Sequence, residues 1–234
     1  MDVQEAVRSH YAARARELKV LQEPCCGTSY AAEELDSLGL SESVILGCGN
    51  PTALAELKPG EIVLDLGSGA GLDVLLSARR VLPGGHAYGV DMTDEMLELA
   101  NRNREQAGVD NATFLKGTID AVPLPDASVD VVISNCVINL AEDKRAVIDE
   151  AFRVLRSGGR LAVADMVELS PLSPKLKKRL DSWAGCISGT IPIEEYRATL
   201  VAAGFEEIEF DVHSTQTLPG AGEVGSAYIR ARKR

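Results

Sequence analysis

The sequence has no run of apolar residues that could cross a membrane and no excess of basic charge. A membrane-spanning helix needs about 20 consecutive apolar residues, and no stretch of the chain approaches that length. The formal net charge is −11, which argues against a protein that binds phosphate backbones through a basic face or adsorbs to anionic lipid. We therefore expect a small-molecule substrate as the partner, rather than a nucleic acid or a membrane.

Histidine is scarce, and the cysteines follow no zinc pattern. The three histidines, at positions 10, 86 and 213, are far apart in the sequence and predict no metal cluster. The five cysteines are odd in number and have no CxxC spacing, so they predict neither a closed disulfide set nor a zinc site. The acidic N-terminus lacks the apolar core of a secretory signal. These features predict a protein of the reducing cytoplasm, and we expect it to be a monomer.

The sequence does have a regular alternation of strand patterns and helix patterns. A chain of 234 residues suits one α/β domain, and this alternation predicts a doubly wound, mostly parallel sheet. We expect an N-terminal cover helix and a cysteine-bearing loop at 1–58, a cofactor-binding core at 59–165, and cover helices with the last strands at 166–234. The patterns predict seven strands, at 61–66, 86–90, 112–116, 129–134, 160–164, 206–212 and 226–231. They predict helices at 3–18, 31–38, 72–81, 94–106, 142–155, 174–184 and 193–203.

A glycine-rich turn follows the first of these strands. The segment Asp65-Leu66-Gly67-Ser68-Gly69-Ala70-Gly71 joins that strand to a helix, and its glycines allow tight turning and close approach of a ligand. Asp91 ends the next strand, where a carboxylate can hydrogen-bond ribose hydroxyls. Such a turn also occurs for purely structural reasons or in dinucleotide-binding proteins, but here no third glycine completes the G-x-G-x-x-G spacing of a dinucleotide loop.

The segment Val63-Leu64-Asp65-Leu66-Gly67-Ser68-Gly69 resembles motif I of the class I S-adenosylmethionine-dependent methyltransferases. The resemblance implies a Rossmann-like fold with an antiparallel last strand and S-adenosyl-L-methionine as cofactor. It also implies that the N-terminal helix folds over the cofactor, within reach of His10 and Tyr11; the alternative for Tyr11 is a half-buried aromatic on a packing face. Without the resemblance, Met92 and Ile119 are more typical of core packing, and Asp65 and Asp91 of helix or turn capping. The residues that the resemblance places at the cofactor are Asp65, Gly67, Ser68, Gly69, Gly71, Asp91, Met92, Thr118, Ile119, Asp120 and Asn135.

Three cysteines occur in contexts that are unusual for core residues. Cys48 lies between two glycines and precedes Asn-Pro, Cys136 comes directly after a predicted strand, and Cys186 follows a glycine. A single cysteine is more often a small buried hydrophobe. If the predicted fold brings the three loops to one sheet edge, however, they would offer three soft thiolates, which select a soft centre.

Taken together, the three cysteine contexts resemble the arsenite methyltransferases. The matching segments are Leu46-Gly47-Cys48-Gly49, Ser134-Asn135-Cys136-Val137-Ile138-Asn139-Leu140 with Asp143-Lys144 after it, and Trp183-Ala184-Gly185-Cys186. The resemblance implies that Cys48, Cys136 and Cys186 bind As(III), whose lone pair attacks the sulfonium methyl group in arsenic detoxification. It implies arsenite or methylarsenite as substrate, a disulfide relay through Cys25 or Cys26, and an external thiol reductant of the thioredoxin or glutathione type. It further implies a short form that ends before the C-terminal domain of longer members.

Two other functions stay open at this point. A methyltransferase for another small acceptor, of a quinone type or an amine, would keep the same fold and cofactor loop and would carry the cysteines as structural residues. A metalloid- or zinc-binding protein that performs no chemistry would need the cysteines but not the cofactor loop.

Overall fold

The computed structural model of the protein describes residues 3–16, 30–40, 47, 49–177 and 186–234. Cys25, Cys26 and Cys48 lie outside these residues, as does Trp183. The structure therefore does not test the predictions for these four residues directly, and only residues beside them in the sequence are described. Within the described part of the chain, no helix is both long and apolar enough to cross a lipid bilayer.

One seven-stranded sheet forms the centre of the described chain. Its strands are β1 Ile62–Leu66, β2 His86–Asp91, β3 Ala112–Lys116, β4 Val129–Asn135, β5 Leu155–Ser170, β6 Glu206–Leu218 and β7 Gly222–Arg232. Their order across the sheet is β3-β2-β1-β4-β5-β7-β6, and β7 runs antiparallel to both of its neighbours. The predicted doubly wound, mostly parallel sheet with an antiparallel last strand is confirmed.

Each helix predicted from the sequence has a counterpart among the described helices, whereas none was predicted at 51–54. The described helices are α1 Val3–Arg16, α2 Ala32–Leu38, α3 Pro51–Leu54, α4 Leu72–Arg80, α5 Asp94–Ala107, α6 Lys144–Val154, α7 Pro174–Lys177 and α8 Ile193–Ala203. A short 3-10 helix, Ile138–Leu140, follows β4. Capping explains two of the boundaries: the Asp143 side chain accepts a hydrogen bond from the N–H of Ala146 at the start of α6, and Gly108 ends α5 with a left-handed backbone, φ 62°.

Apolar side chains are buried on both faces of the sheet. Val63 packs with Leu75 of α4 in a cluster on one face, whereas Leu64 and Leu66 pack with Val147 of α6 in a cluster on the other. This alternation is expected of a parallel strand that is covered by helices on both sides. Each leucine buried in this way stabilises the fold by about 1.5–3 kcal/mol relative to an exposed one.

The last three strands are longer than the sequence patterns predict. The strand predicted at 160–164 extends over Leu155–Ser170, and those predicted at 206–212 and 226–231 extend over Glu206–Leu218 and Gly222–Arg232. Hydrogen-bonded pairing continues to the end of the hairpin, where Leu218 lies opposite Gly222. The added part of β6 is largely polar and exposed, so it carries little of the apolar alternation that predicts a strand.

The carboxyl ends of β1, β2 and β4 meet at one edge of the sheet. Leu66 is in register with Val90 on one side and with Ser134 on the other. Consequently the glycine-rich turn, which follows β1, lies at the same edge as Asp91 and Asn135, which end β2 and β4. In open α/β sheets this edge is where ligands bind.

Candidate active site

A cavity of about 290 Å³ opens at this edge. The turn after β1 forms part of its wall with a strongly curved backbone, since Gly67 and Gly69 have φ of 71° and 48°. A Cβ added at Gly67 would lie 2.5 Å from Cγ1 of Val137. Position 67 therefore needs a glycine for two reasons, its left-handed backbone and the close approach of the β4 loop.

The amide groups of the turn are already hydrogen-bonded within the protein. The N–H groups of Gly67 and Ser68 donate to the carbonyl oxygen of Val90 at 2.9 and 3.0 Å, and Gly69 donates to Oδ2 of Asp91 at 3.0 Å. These bonds hold the turn against the end of β2. Because they occupy the donors that would cradle a phosphate, the turn is poorly suited to the pyrophosphate of a dinucleotide.

Three aspartates make the cavity acidic. Asp65, Asp73 and Asp91 all line it, and burial raises the pKa of each. The charges of Asp73 and Asp91 further raise the pKa of Asp65, whereas hydrogen bonds from Tyr30 and Asn135 limit the pKa of Asp73 to about 6. This cavity would repel a phosphate and attract a cation. A sulfonium nucleoside, with its positive charge and ribose hydroxyls, fits the residues present.

Tyr30 and Asp73 also line the cavity, and sequence reasoning did not identify either as a candidate. The Tyr30 hydroxyl donates to the two carboxylate oxygens of Asp73 at 2.7 and 2.9 Å. The Asn135 side chain in turn donates to the Tyr30 hydroxyl at 2.9 Å and to Asp73 Oδ2 at 3.2 Å. Asp73 lies in the first turn of α4, and its place just after the glycine-rich turn is the sequence signal that could have pointed to it. Tyr30, in contrast, precedes a short helix, and nothing around it in the sequence indicates the site.

The structure brings nearly all the predicted cofactor residues to the same cavity. Gly71 is the exception, since it does not line the cavity and instead precedes α4, where an added Cβ would lie 2.6 Å from the Phe114 ring. Tyr11 of α1 lines the cavity as well. That these residues contact a cofactor stays a prediction. The predicted residues that line the cavity are Asp65, Gly67, Ser68, Gly69, Asp91, Met92, Thr118, Ile119, Asp120 and Asn135.

Two of the three predicted arsenic-binding cysteines lie beside one another. The Cys186 thiol donates a hydrogen bond to the backbone carbonyl of Cys136 at 3.4 Å, and both residues are buried. Each has a left-handed backbone, with φ of 58° at Cys136 and 62° at Cys186. Non-glycine residues in this conformation are uncommon and concentrate at functional sites.

The residues on either side of Cys48 approach the same place. Gly49 donates its N–H to Oδ1 of Asn135 at 3.1 Å, and its carbonyl accepts from Nδ2 of Asn135 at 2.8 Å. At Gly47, an added Cβ would lie 2.1 Å from Cγ of Asn135. Since Asn135 directly precedes Cys136, both chain neighbours of Cys48 lie against the residue before the second predicted ligand.

The redox states of the described cysteines differ. Cys136 is disulfide-bonded, and Cys186 is a buried thiol in the reduced state. Within the described ranges, no group of three histidine, cysteine or carboxylate side chains is arranged to hold a metal ion. The three-thiol site therefore stays a prediction, as does the relay through Cys25 or Cys26.

A sheet of this order, with an acidic cavity over the ends of β1 and β2, is the architecture of the class I methyltransferases. The family model described as a methyltransferase domain matches residues 57–219, so the chain belongs to that family.

Comparison with individual proteins narrows the likeness to arsenite methyltransferases. One from Halobacterium salinarum is 46% identical over 180 residues, which cover 77% of this chain and 46% of that protein. One from Homo sapiens is 31% identical over 222 residues, which cover 87% of this chain and 58% of that protein. The crystal structure of an arsenic(III) S-adenosylmethionine methyltransferase from Chlamydomonas reinhardtii superposes with a TM-score of 0.69 at 29% identity, over 97% of this chain and 73% of that one. The chain thus spans about half the length of the curated relatives it matches.

Proposed function

We propose that this protein transfers a methyl group from S-adenosyl-L-methionine to trivalent arsenic held by the thiolates of Cys48, Cys136 and Cys186. The observation that carries the proposal is the approach of three chain segments to the end of β4. Cys186 contacts the backbone of Cys136, and the two glycines beside Cys48 lie against Asn135. The likeness to arsenite methyltransferases supports the same conclusion independently.

The thiol segments adjoin the cofactor cavity. Asn135 and Val137, the residues on either side of Cys136, both line that cavity, as does Gly47. A substrate held at Cys136 would therefore lie at the wall of the space that fits the methyl donor. S-adenosylmethionine supplies an electrophilic methyl group when it is bound, and the protein contributes mainly by holding the acceptor beside it.

The ligand type suits the substrate. Arsenic(III) is a soft centre, and thiolates are the soft ligands of proteins. Three thiolates would replace three hydroxides of arsenous acid and leave one lone pair on arsenic as the nucleophile. No general base is required, which agrees with the lack of a histidine among the described residues that line the cavity. Because thiols are largely protonated at neutral pH, arsenic binding should release protons.

An external thiol reductant has a defined task in this scheme. The sulfur of Cys136 cannot bind arsenic while it is in a disulfide, so reduction must come before substrate binding. Methylation also oxidises arsenic formally from the trivalent to the pentavalent state. Two thiols can return it to the trivalent state by forming a disulfide, and Cys25, Cys26 and Cys48 are the candidates for that relay.

The test is a methylation assay with product speciation. Reduced protein, arsenite, a small thiol and methyl-labelled cofactor should yield methylated arsenic. Cys136→Ser and Cys186→Ser should each abolish that product while affinity for S-adenosylhomocysteine stays within about twofold. Asn111→Ala is the matched control, since this side chain bonds the carbonyl oxygens of Ala78 and Gly85, which do not line the cavity.

The outcomes separate the proposal from its two competitors. Full arsenite methylation by both serine variants would show that the cysteines are structural. Undiminished methylation of an amine or quinone-type acceptor by those variants, with none of arsenite by the native chain, would identify another methyltransferase. Stoichiometric arsenite binding without methylated product would identify a binding protein.

A further inference from the structure

Asn139 is a buried residue that links two parts of the proposed substrate site. It lies in the 3-10 helix Ile138–Leu140, and 1% of its surface is exposed. Its backbone N–H donates to Oδ2 of Asp165 at 3.1 Å, and its side-chain Nδ2 donates to the carbonyl oxygen of Cys186 at 3.1 Å. One residue therefore joins strand β5 to the segment that contains Cys186.

The contact on the β5 side is well anchored. Asp165 is fully buried, and its second oxygen, Oδ1, accepts a hydrogen bond from the N–H of Met166 at 2.9 Å. A carboxyl group that accepts from two backbone N–H groups has little freedom to rotate. Asn139 is consequently fixed relative to the sheet.

The other contact, from Asn139 Nδ2 to the carbonyl oxygen of Cys186, holds a cysteine whose backbone has a left-handed φ. A left-handed φ is disfavoured for any residue with a Cβ, so neighbouring groups must hold Cys136 and Cys186 in place. The N–H of Cys136 donates to the carbonyl oxygen of Ala164 at 2.7 Å. At Cys186, by comparison, the backbone carbonyl accepts a hydrogen bond from the Asn139 side chain.

Packing alone does not account for an asparagine at this position. Its Oδ1 is buried and has no hydrogen-bond partner within the described residues. An unpaired buried carbonyl is unfavourable, and an apolar side chain of the same size would avoid it. Leucine fills a similar volume, so the property that distinguishes asparagine here is the Nδ2 donor.

We infer that Asn139 is a positioning residue for the trivalent arsenical, because its Nδ2 hydrogen bond sets the orientation of Cys186 relative to Cys136. The inference rests on the proposed function. It assigns to Asn139 no contact with the reacting atoms, since it acts through the backbone of Cys186. Residues that orient a ligand in this way typically change affinity by about 10- to 100-fold when they are replaced.

The experiment compares Asn139→Leu with the native chain and with Asn111→Ala. Each fully reduced protein is titrated with arsenite in competition with a small dithiol, and its affinity for S-adenosylhomocysteine and its urea midpoint are measured in parallel. For Asn139→Leu we expect arsenite affinity to fall about tenfold or more and the KM for arsenite to rise by a similar factor. Affinity for S-adenosylhomocysteine should stay within about twofold, and Asn111→Ala should bind arsenite as the native chain does.

Native arsenite affinity and KM in Asn139→Leu would overturn the inference, and so would an equal loss of affinity for arsenite and for S-adenosylhomocysteine. If Asn139→Leu does not fold, Asn139→Ser takes its place with the same two outcomes, since it is smaller and cannot reach the Cys186 carbonyl in the same geometry. Failure of the native, reduced chain to bind arsenite would instead overturn the proposed function.

Discussion

The side-chain amide of Asn135 pairs with both backbone polar groups of Gly49. Its Oδ1 accepts the Gly49 N–H at 3.1 Å, and its Nδ2 donates to the Gly49 carbonyl at 2.8 Å. Residues 49 and 135 are far apart in sequence, so this pair fixes the segment beside Cys48 against the end of β4. The same amide also bonds Tyr30 and Asp73, which connects the thiol segments to the acidic wall of the cavity.

Replacement of Asn135 by alanine should therefore affect both the thiol segments and the cofactor cavity. The change removes the hydrogen bonds from Asn135 to Gly49, Tyr30 and Asp73, which should lower the free energy of unfolding by about 2–4 kcal/mol. We expect kcat/KM for arsenite methylation to fall by about 10- to 100-fold. Urea denaturation and methylation kinetics on the folded fraction measure the two effects. Loss of stability with unchanged kinetics would show that the Asn135–Gly49 pair is only structural.

Replacement of Gly67 by alanine should separate backbone strain from collision with the β4 loop. Gly60 has a similar φ of 86° with nothing within 4 Å of an added Cβ, whereas at Gly67 the Cβ would meet Val137 at 2.5 Å. We expect Gly60→Ala to lower the free energy of unfolding by about 1 kcal/mol, and Gly67→Ala by about 1–3 kcal/mol more.

Cofactor affinity should also differ between Gly67→Ala and Gly60→Ala. Gly67→Ala should weaken S-adenosylhomocysteine binding, and Gly60→Ala should not. The double variant Gly67→Ala/Val137→Ala should regain part of the lost stability, because it removes the methyl groups in collision. Calorimetric binding and urea midpoints measure these quantities. Equal effects of Gly60→Ala and Gly67→Ala would contradict the steric explanation.

The buried carboxyl group of Asp165 should make stability fall as the pH rises. Burial raises its pKa from an ordinary value of 3.8 to about 7, so between these values the folded state binds a proton that the unfolded state releases. The free energy of unfolding should then decrease from about pH 4 to pH 7 by up to about 4 kcal/mol from this group. In Asp165→Asn this contribution should be absent, and the profile should be flatter over the same range.

Urea denaturation of the native chain and of Asp165→Asn at several pH values provides the measurement. The asparagine cannot accept both backbone hydrogen bonds, so it should lower stability at pH 4 by about 1–3 kcal/mol. What identifies the titration is the difference in slope between the two profiles, not the difference at any one pH. Parallel profiles would mean that Asp165 does not bind the proton.

The sequence predicted the parts of the fold that depend on local patterns. The turn after β1 was recognisable because Gly67 and Gly69 follow a short apolar run, and Asp91 because it ends the next such run. Periodicity and turn residues act over a few positions, so they locate elements without the rest of the chain. The same reasoning underestimated β6, whose outer half is polar and is stabilised as a strand by pairing with β7.

The sequence could not predict which side chains meet across the site. Tyr30, Asp73 and Asn139 owe their roles to partners that are distant in the chain, and no spacing rule connects them. Asn135 was predicted as a cofactor residue because the resemblance to the methyltransferases places the end of the fourth strand at the cofactor, and it does line the cavity. Its bonds to Gly49 join positions that are far apart in the sequence, and no local pattern predicts them.

The acidic wall of the cavity also couples binding of the methyl donor to the release of protons. Burial favours the neutral form of Asp65 and Asp73, whereas a sulfonium ion nearby would favour their ionised form. Loading of the donor should therefore expel hydrogen ions into the solvent and become tighter in more alkaline solution. After methyl transfer the donor has become an uncharged thioether, which no longer opposes re-uptake of those hydrogen ions. The ionised carboxylates therefore attract a new sulfonium donor more strongly than they attract the product, which favours their exchange.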